Sequence, residues 1–321
     1  MKAVSSPLVE PDAAPVENME RADDPAGRRS QWALWAAALR LHQWVKNVLL
    51  VVPLLLAHEF TMRQCVDVAL GFLIFGIVAS GTYLINDLND LRADRAHPAK
   101  RLRPLASGAI SVRAAVAASA FLLLTGLTGA FLVDQEFGFT TLAYVAITAA
   151  YSFRLKREPM FDVFTIGVLF VARLVAGMVL IDNQISLWLS GFAFTLFMSL
   201  AMAKRHSELT TFLRSSGSTP MGRGYEAEDI GLTRAFGVGS ALIAFLIMLL
   251  YFQFQALASG LYDAVELLYV VPVAVFAWTL RIWLKANRGL LMDDPITFAL
   301  RDRISWCYAI FTFLAWLVAI K

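Results

Sequence analysis

Nine apolar runs, most of them 17 residues or longer between charges, dominate this chain and fix the kind of solvent it can fold in. They fall at 44–60, 66–85, 114–133, 137–153, 162–181, 186–203, 235–257, 266–281 and 304–320. A helix of about 20 apolar residues crosses the hydrocarbon core of a bilayer. In lipid, only helices and closed barrels satisfy every backbone polar group. The runs are continuous rather than alternating, so the expectation is an all-α polytopic membrane protein, a bundle of about nine transmembrane helices. The first and eighth runs are short between charges and need Lys46 and Arg281 to reach back to the interface. Composition agrees: 58% of the 321 residues are hydrophobic and 17% charged, whereas soluble domains carry about 25% charged residues. Cys65 and Cys307 form no Cys-x-x-Cys pair, which argues against a zinc site or a disulfide framework.

Residues 1–30, rich in Ala, Pro, Asp and Glu, read as a disordered cytoplasmic tail, and 31–321 as the membrane domain. No short apolar core with a cleavage site follows a basic start, so no signal peptide is expected. The net charge of +3 is uninformative, but its distribution is not. Nearly all basic residues sit in the tail and after the second, fourth, sixth and eighth runs, and the other side holds only Arg63 and Lys321. By the positive-inside rule the N-terminus is cytoplasmic and the C-terminus outside. The long charged segments 86–113 and 204–234 then lie in the cytoplasm and mark the working face. The partners expected are a bilayer and a phosphorylated small molecule, not nucleic acid.

The second run ends in Asn86-Asp87-Leu-Asn-Asp90-Leu-Arg-Ala-Asp94. Spacings of three and four place Asp87, Asp90 and Asp94 on one helical face, where carboxylates repel one another. A divalent cation relieves that repulsion. Mg²⁺ prefers oxygen ligands and bridges carboxylates to substrate phosphates, so this row reads as a Mg²⁺–diphosphate site, with Asn86 beside it. A solvated helix end is the plainer alternative. The glycine and terminal glutamate of an EF-hand are missing. Lys100, Arg101 and Arg103 follow directly, between two prolines that break the helix, and could neutralise phosphate oxygens or simply follow the charge rule.

Further candidates lie on the same face. Tyr151, Lys156 and Asp162 occupy a short hairpin between the fourth and fifth runs, with Lys156 read as a phosphate contact and Asp162 as a ligand or orienting group. Arg173 lies mid-span, where a guanidinium is costly; it should face the bundle interior and meet an anion, either an Asp or a lipid phosphate. Lys204, Arg205 and Glu208 leave the sixth run as a second wall of the site or as an ordinary i,i+4 surface pair. Arg40, Gln43, Trp44, Lys46 and Asn47 form a basic amphipathic approach to the first run.

The Asn-Asp-x-x-Asp-x-x-x-Asp row, the Tyr151-Ser-x-x-Leu-Lys156 hairpin and nine runs resemble the UbiA superfamily of membrane prenyltransferases over about residues 34–320. Within it, Arg40 to Asn47, His97 to Pro104 and Ala203-Lys204-Arg205 look most like the decaprenyl-phosphate phosphoribosyltransferase branch. Gly222 to Tyr225 and Asp294 to Asp302 are similar to relatives with an extra N-terminal phosphatase-like domain. Here only a short tail stands in that place, which leaves room for a separate phosphatase partner. Family prenyltransferases carry a second Asp-rich motif where this chain has Lys204-Arg205-His206-Ser207-Glu208. The resemblance therefore implies Mg²⁺-dependent transfer of 5-phosphoribose from phosphoribosyl diphosphate to a polyprenyl phosphate, in a bacterial inner membrane, as a step toward arabinosyl donors for glycans. Lys46, Lys156 and the three aspartates are the implied catalytic residues. The alternative is prenyl transfer from an isoprenyl diphosphate to an aromatic or other acceptor. A lipid transporter is the third.

Overall fold

The computed structural model describes residues 30–57, 61–182, 185–214, 224–256, 260, 262–291 and 294–320. Residues 1–29 of the expected tail, Gly222 and Lys321 lie outside the described residues. The chain forms α1 (Gln31–Ala38), a 3-10 helix (Leu41–Leu50), α2 (Val52–Leu56), α3 (Met62–Asn89) and α4 (Leu91–Ala96). There follow α5 (Val112–Val133), α6 (Gln135–Phe153), α7 (Phe161–Leu180), α8 (Leu187–Arg214) and α9 (Ile230–Tyr251). The last are α10 (Val265–Leu268), α11 (Val270–Asn287), α12 (Pro295–Arg301) and α13 (Arg303–Ala319). Among the described residues the extended pairing is one bridge, Tyr262 to Ile320.

Capping chemistry sets several boundaries. Thr61 and Gln64 close a reciprocal capping box at the start of α3. The Ser111, Asp134 and Asp302 side chains accept N-terminal amides of α5, α6 and α13. Asp294 does the same for α12, with Pro295 in its first turn.

Six helices are long and apolar enough to cross a membrane, and eight candidates result if two bent pairs count as spans, by length and composition alone. The expected nine is not reached by this measure: every predicted run overlaps a described helix, but α6 is not among the candidates, its apolar residues being diluted by Glu136, Thr140, Thr141 and Thr148. Large side chains face outward along the bundle, Phe121, Leu124 and Leu132 of α5 being 65%, 69% and 82% exposed; a lipid solvent accommodates such a surface, whereas water does not.

The expected first run, 44–60, is preceded by a bend, and its described part is a 3-10 helix followed by α2. Between α1 and the 3-10 helix, Arg40 takes a left-handed conformation (φ 51°), and the axis turns by 44°. The 3-10 helix presses into the bundle because two facing positions lack a side chain. A Cβ on Gly177 of α7 would stand 2.2 Å from the Leu50 carbonyl oxygen, and one on Gly76 of α3 would stand 2.6 Å from the Trp44 indole. Trp44 Nε1 donates to Ser80 Oγ at 3.0 Å, tying this helix to α3. Lys46 consequently turns inward instead of reaching back to the interface. Arg281 likewise forms a two-pronged ion pair with Asp302, at 2.6 and 2.8 Å, at the 88° corner between α12 and α13.

α3 packs on α5 and α6, α7 on α6 and α8, and α8 on α9 and α11. α8 runs on to Arg214, so the first part of the expected 204–234 loop is helix. These packings place the last turns of α3 and α6 and the middle of α7 and α8 around one polar space.

Candidate active site

That space is a cavity of about 250 Å³. α3 contributes Asn86 and its C-terminal flank Asp90, α6 Tyr144 and Tyr151, α7 Phe170 and Arg173, and α8 Lys204 and Arg205. Lys156, Arg40, Lys46 and Asp294 complete it from the connecting segments. Six basic side chains line it against two carboxylates.

The acid row divides. α3 ends at Asn89 and α4 begins at Leu91, so Asp90 is the joint between two helices (φ −89°, ψ 0°). Asp90 faces the cavity, where Lys156 Nζ bridges its Oδ1 at 2.5 Å and Asn86 Oδ1 at 3.1 Å. Asp87 and Asp94 are buried on another side. Arg103 Nη1 joins them, 3.4 Å from Asp87 Oδ1 and 2.6 Å from Asp94 Oδ2. Arg40 Nη2 reaches Asp87 Oδ1 at 2.5 Å. Among the described residues no group of three or more His, Cys, Asp or Glu is arranged to hold a metal ion. Lys100 and Arg101 are exposed and do not line the cavity.

The second wall is held from behind. Arg205, 3% exposed at its side chain, donates from Nε to the fully buried Asp162 at 2.7 Å and also pairs with Glu208. Tyr225 Oη donates to the other Asp162 oxygen at 2.7 Å and accepts from the Met160 amide at 3.0 Å. Burial, then the adjacent Asp162 charge, push the Tyr225 phenol far above its ordinary range, so the hydroxyl keeps its proton. Asp162 is therefore an orienting group behind the cavity wall. At the cavity's other rim Lys46 Nζ lies 2.5 Å from Asp294 Oδ2. Burial alone would push the Asp294 carboxyl up, but the Lys46 charge and hydrogen bond outweigh it and hold the group below the usual carboxylate range.

Arg173 faces the bundle interior, as its placement required. Its guanidinium donates to Asn47 Oδ1, the Leu169 carbonyl and Tyr144 Oη, at 3.4, 2.7 and 2.9 Å. Neither expected anion, an Asp or a lipid phosphate, is among these partners.

Beside the polar cavity runs an apolar groove of about 630 Å³, lined by α2, α8, α11, α12 and α13. Phe197, Leu200 and Ile296 border both spaces. Sequence reading missed Asp294 and Tyr144 as site residues, and placed Arg40 only in an amphipathic segment. The Asp294-Pro295 pair signals a helix start and could have drawn attention to Asp294. Nothing local marks Tyr144.

Three comparisons bear on this geometry. The model of the UbiA prenyltransferase family matches residues 32–293. The uncharacterized protein y4nM of Sinorhizobium fredii is 46% identical over 275 residues, which are 85% of this chain and 53% of that protein; the chain spans about half of that relative's length. The decaprenyl-phosphate phosphoribosyltransferase of Mycobacterium tuberculosis is 30% identical over 290 residues, 88% of this chain and 91% of that enzyme. Among solved structures, a UbiA homolog from Archaeoglobus fulgidus bound to GPP and Mg²⁺ superposes with a TM-score of 0.65 at 19% identity, over 88% of this chain and 99% of that one.

Proposed function

This chain belongs to the UbiA prenyltransferase family as a membrane-embedded transferase, and we propose that it moves 5-phosphoribose from phosphoribosyl diphosphate to a polyprenyl phosphate. The observation that carries the reading is a cavity with six basic side chains against two carboxylates, sharing a wall with an apolar groove. Such a cavity suits a multiply phosphorylated donor, and such a groove suits an isoprenoid tail. The name of the Mycobacterium tuberculosis relative, a decaprenyl-phosphate phosphoribosyltransferase, supports the same transferred group and a polyprenyl phosphate acceptor. Family membership sets the transporter alternative aside.

Mg²⁺ fits the donors at the joint of α3 and α4. The oxygens of Asp90 and Asn86 already share one cation, the Lys156 ammonium, and Mg²⁺ typically takes one or two protein carboxylates with phosphate and water completing its shell. Asp90 and Asn86 would hold the ion, which when bound supplies neutralisation of the diphosphate leaving group. Asp87 and Asp94 act one step back by fixing Arg103, and Asp87 also fixes Arg40. Lys46, Arg40, Lys156, Lys204 and Arg205 neutralise the remaining phosphate oxygens.

The bond from the anomeric carbon to the diphosphate oxygen breaks, and an anionic oxygen of the lipid phosphate forms the new bond to that carbon. The acceptor needs no general base, so the protein's contribution is alignment and charge stabilisation. The positive-inside pattern supports a cytoplasmic position for this mouth, where a soluble phosphorylated donor is available.

The solved homolog with GPP favours a second reading, prenyl transfer. Donor choice separates the two. Purified protein in nanodiscs with Mg²⁺ is given polyprenyl phosphate and labelled phosphoribosyl diphosphate, or an aromatic acceptor and labelled isoprenyl diphosphate. The reading predicts a labelled lipid in the first reaction only; a prenylated product in the second alone would replace it.

A further inference from the structure

Arg40, Lys46, Lys156 and Arg205 each face a carboxylate. Arg173 lines the same cavity and meets none among the described residues. It lies eleven residues beyond Asp162 on α7, about 16 Å deeper at 1.5 Å per residue, and is 4% exposed. A guanidinium carries five N–H donors, and three go to neutral acceptors: Asn47 Oδ1, the Leu169 carbonyl and Tyr144 Oη. Beside it, Asn47 is 1% exposed, and its Nδ2 is buried without a hydrogen-bond partner. A buried guanidinium with only neutral acceptors among the described residues and a buried amide donor without a partner are both costly, and one bound anion would serve both.

We infer that Arg173 and Asn47, with Tyr144, form a subsite for a phosphate monoester, deep in the cavity and separate from the cluster around Asp90 and Lys156. The inference rests on the transferase reading above, which offers two sources of that chemistry: the headgroup of the polyprenyl phosphate and the 5-phosphate of the donor. The surroundings suit a lipid headgroup. Phe170 lies under the guanidinium at 5.5 Å and stacks on Phe197 at 3.9 Å and 12°, and Phe197 borders the apolar groove. The subsite is one aromatic ring from the wall along which an isoprenoid tail would lie.

Binding, not turnover, tests this. Wild type, Arg173→Gln, Arg173→Lys and Asn47→Ala in nanodiscs are titrated with farnesyl phosphate, farnesol and phosphoribosyl diphosphate, and their melting is followed. Arg173→Gln is expected to weaken one phosphate probe by about tenfold or more and to leave farnesol unchanged. Arg173→Lys should recover part of that loss, and Asn47→Ala should weaken the same probe while Arg173 is intact. Loss confined to farnesyl phosphate assigns the lipid headgroup; loss confined to phosphoribosyl diphosphate assigns the donor's 5-phosphate. Folded Arg173→Gln protein that binds both probes like wild type overturns the subsite. If Arg173→Gln does not fold, unchanged binding by Asn47→Ala does so. Because binding is read directly, Arg173-dependent capture of farnesyl phosphate by a protein that fails to transfer phosphoribose would sink the function and leave the subsite standing. Normal transfer with unchanged binding in the variants would do the reverse.

Discussion

Lys156 Nζ joins the Asn86 and Asp90 side-chain oxygens, and Arg40, Lys46 and Arg205 are each held by a carboxylate in the same way. Asp162 shows the strength of such a pair. Both of its oxygens are used, by Arg205 and by Tyr225, in a setting with 0% exposure of the carboxylate. Removing one partner of a buried pair leaves an uncompensated charge and costs about 3–5 kcal/mol. Asp162→Asn should therefore lower the melting temperature markedly, even though Asp162 does not line the cavity, and a melt within a degree of wild type would contradict the buried pairing. Asp294 makes a pH statement. Its folded pKa lies below the ordinary value of about 3.9, so the stability its pair with Lys46 contributes is present above that value and is lost as pH falls through the folded one. The melting difference between wild type and Asp294→Asn should be flat from about pH 5 to pH 8 and should shrink only below about pH 4.

The 3-10 helix Leu41–Leu50 is the element on which the site most depends, because it brings in Lys46 and Asn47 together. Its fit against α7 relies on the missing side chain of Gly177, where any Cβ meets the Leu50 backbone. Gly177→Ala should cost about 1–3 kcal/mol by overpacking and reduce turnover, while an alanine on the exposed Gly231, which has open space around it, should not. Stability and transfer assays on the pair check this. Helix existence was legible in the sequence because lipid demands long apolar runs. Only part of the basic lining was legible: Lys156, Lys204 and Arg205 stand at run ends and Arg173 was marked by its cost in mid-span, whereas Arg40 was read only within an amphipathic segment and Lys100 and Arg101 do not line the cavity. What the sequence hid was direction. A 3.6-residue period predicts one face for Asp87, Asp90 and Asp94, but the helix breaks at Asp90, and the row is shared between the cavity and Arg103. The inward turn of Lys46 depends on the left-handed Arg40 and on Gly76 and Gly177, far along the chain, which no local pattern reports. Asp294 reaches the site from 248 residues beyond Lys46.

At the scale of the whole molecule, the bundle sets a positively lined chamber against an apolar groove and lets them share one wall. Under the proposed function, that layout would let a water-soluble, phosphate-rich donor and a membrane-bound acceptor meet without either leaving its own solvent. The exposed apolar belt of α5 and its neighbours keeps the bundle in the bilayer, and the charged ends supply the chamber. The central claim is that Asp90, at the joint of α3 and α4, anchors the donor's diphosphate through Mg²⁺. The most direct measurement compares wild type with Asp90→Asn for Mg²⁺-dependent transfer of labelled phosphoribose to polyprenyl phosphate, in protein shown by melting to be folded. The account predicts a fall in kcat of about 10²–10³-fold with the Mg²⁺ requirement altered. Transfer at the wild-type rate, with the same Mg²⁺ dependence, would contradict it.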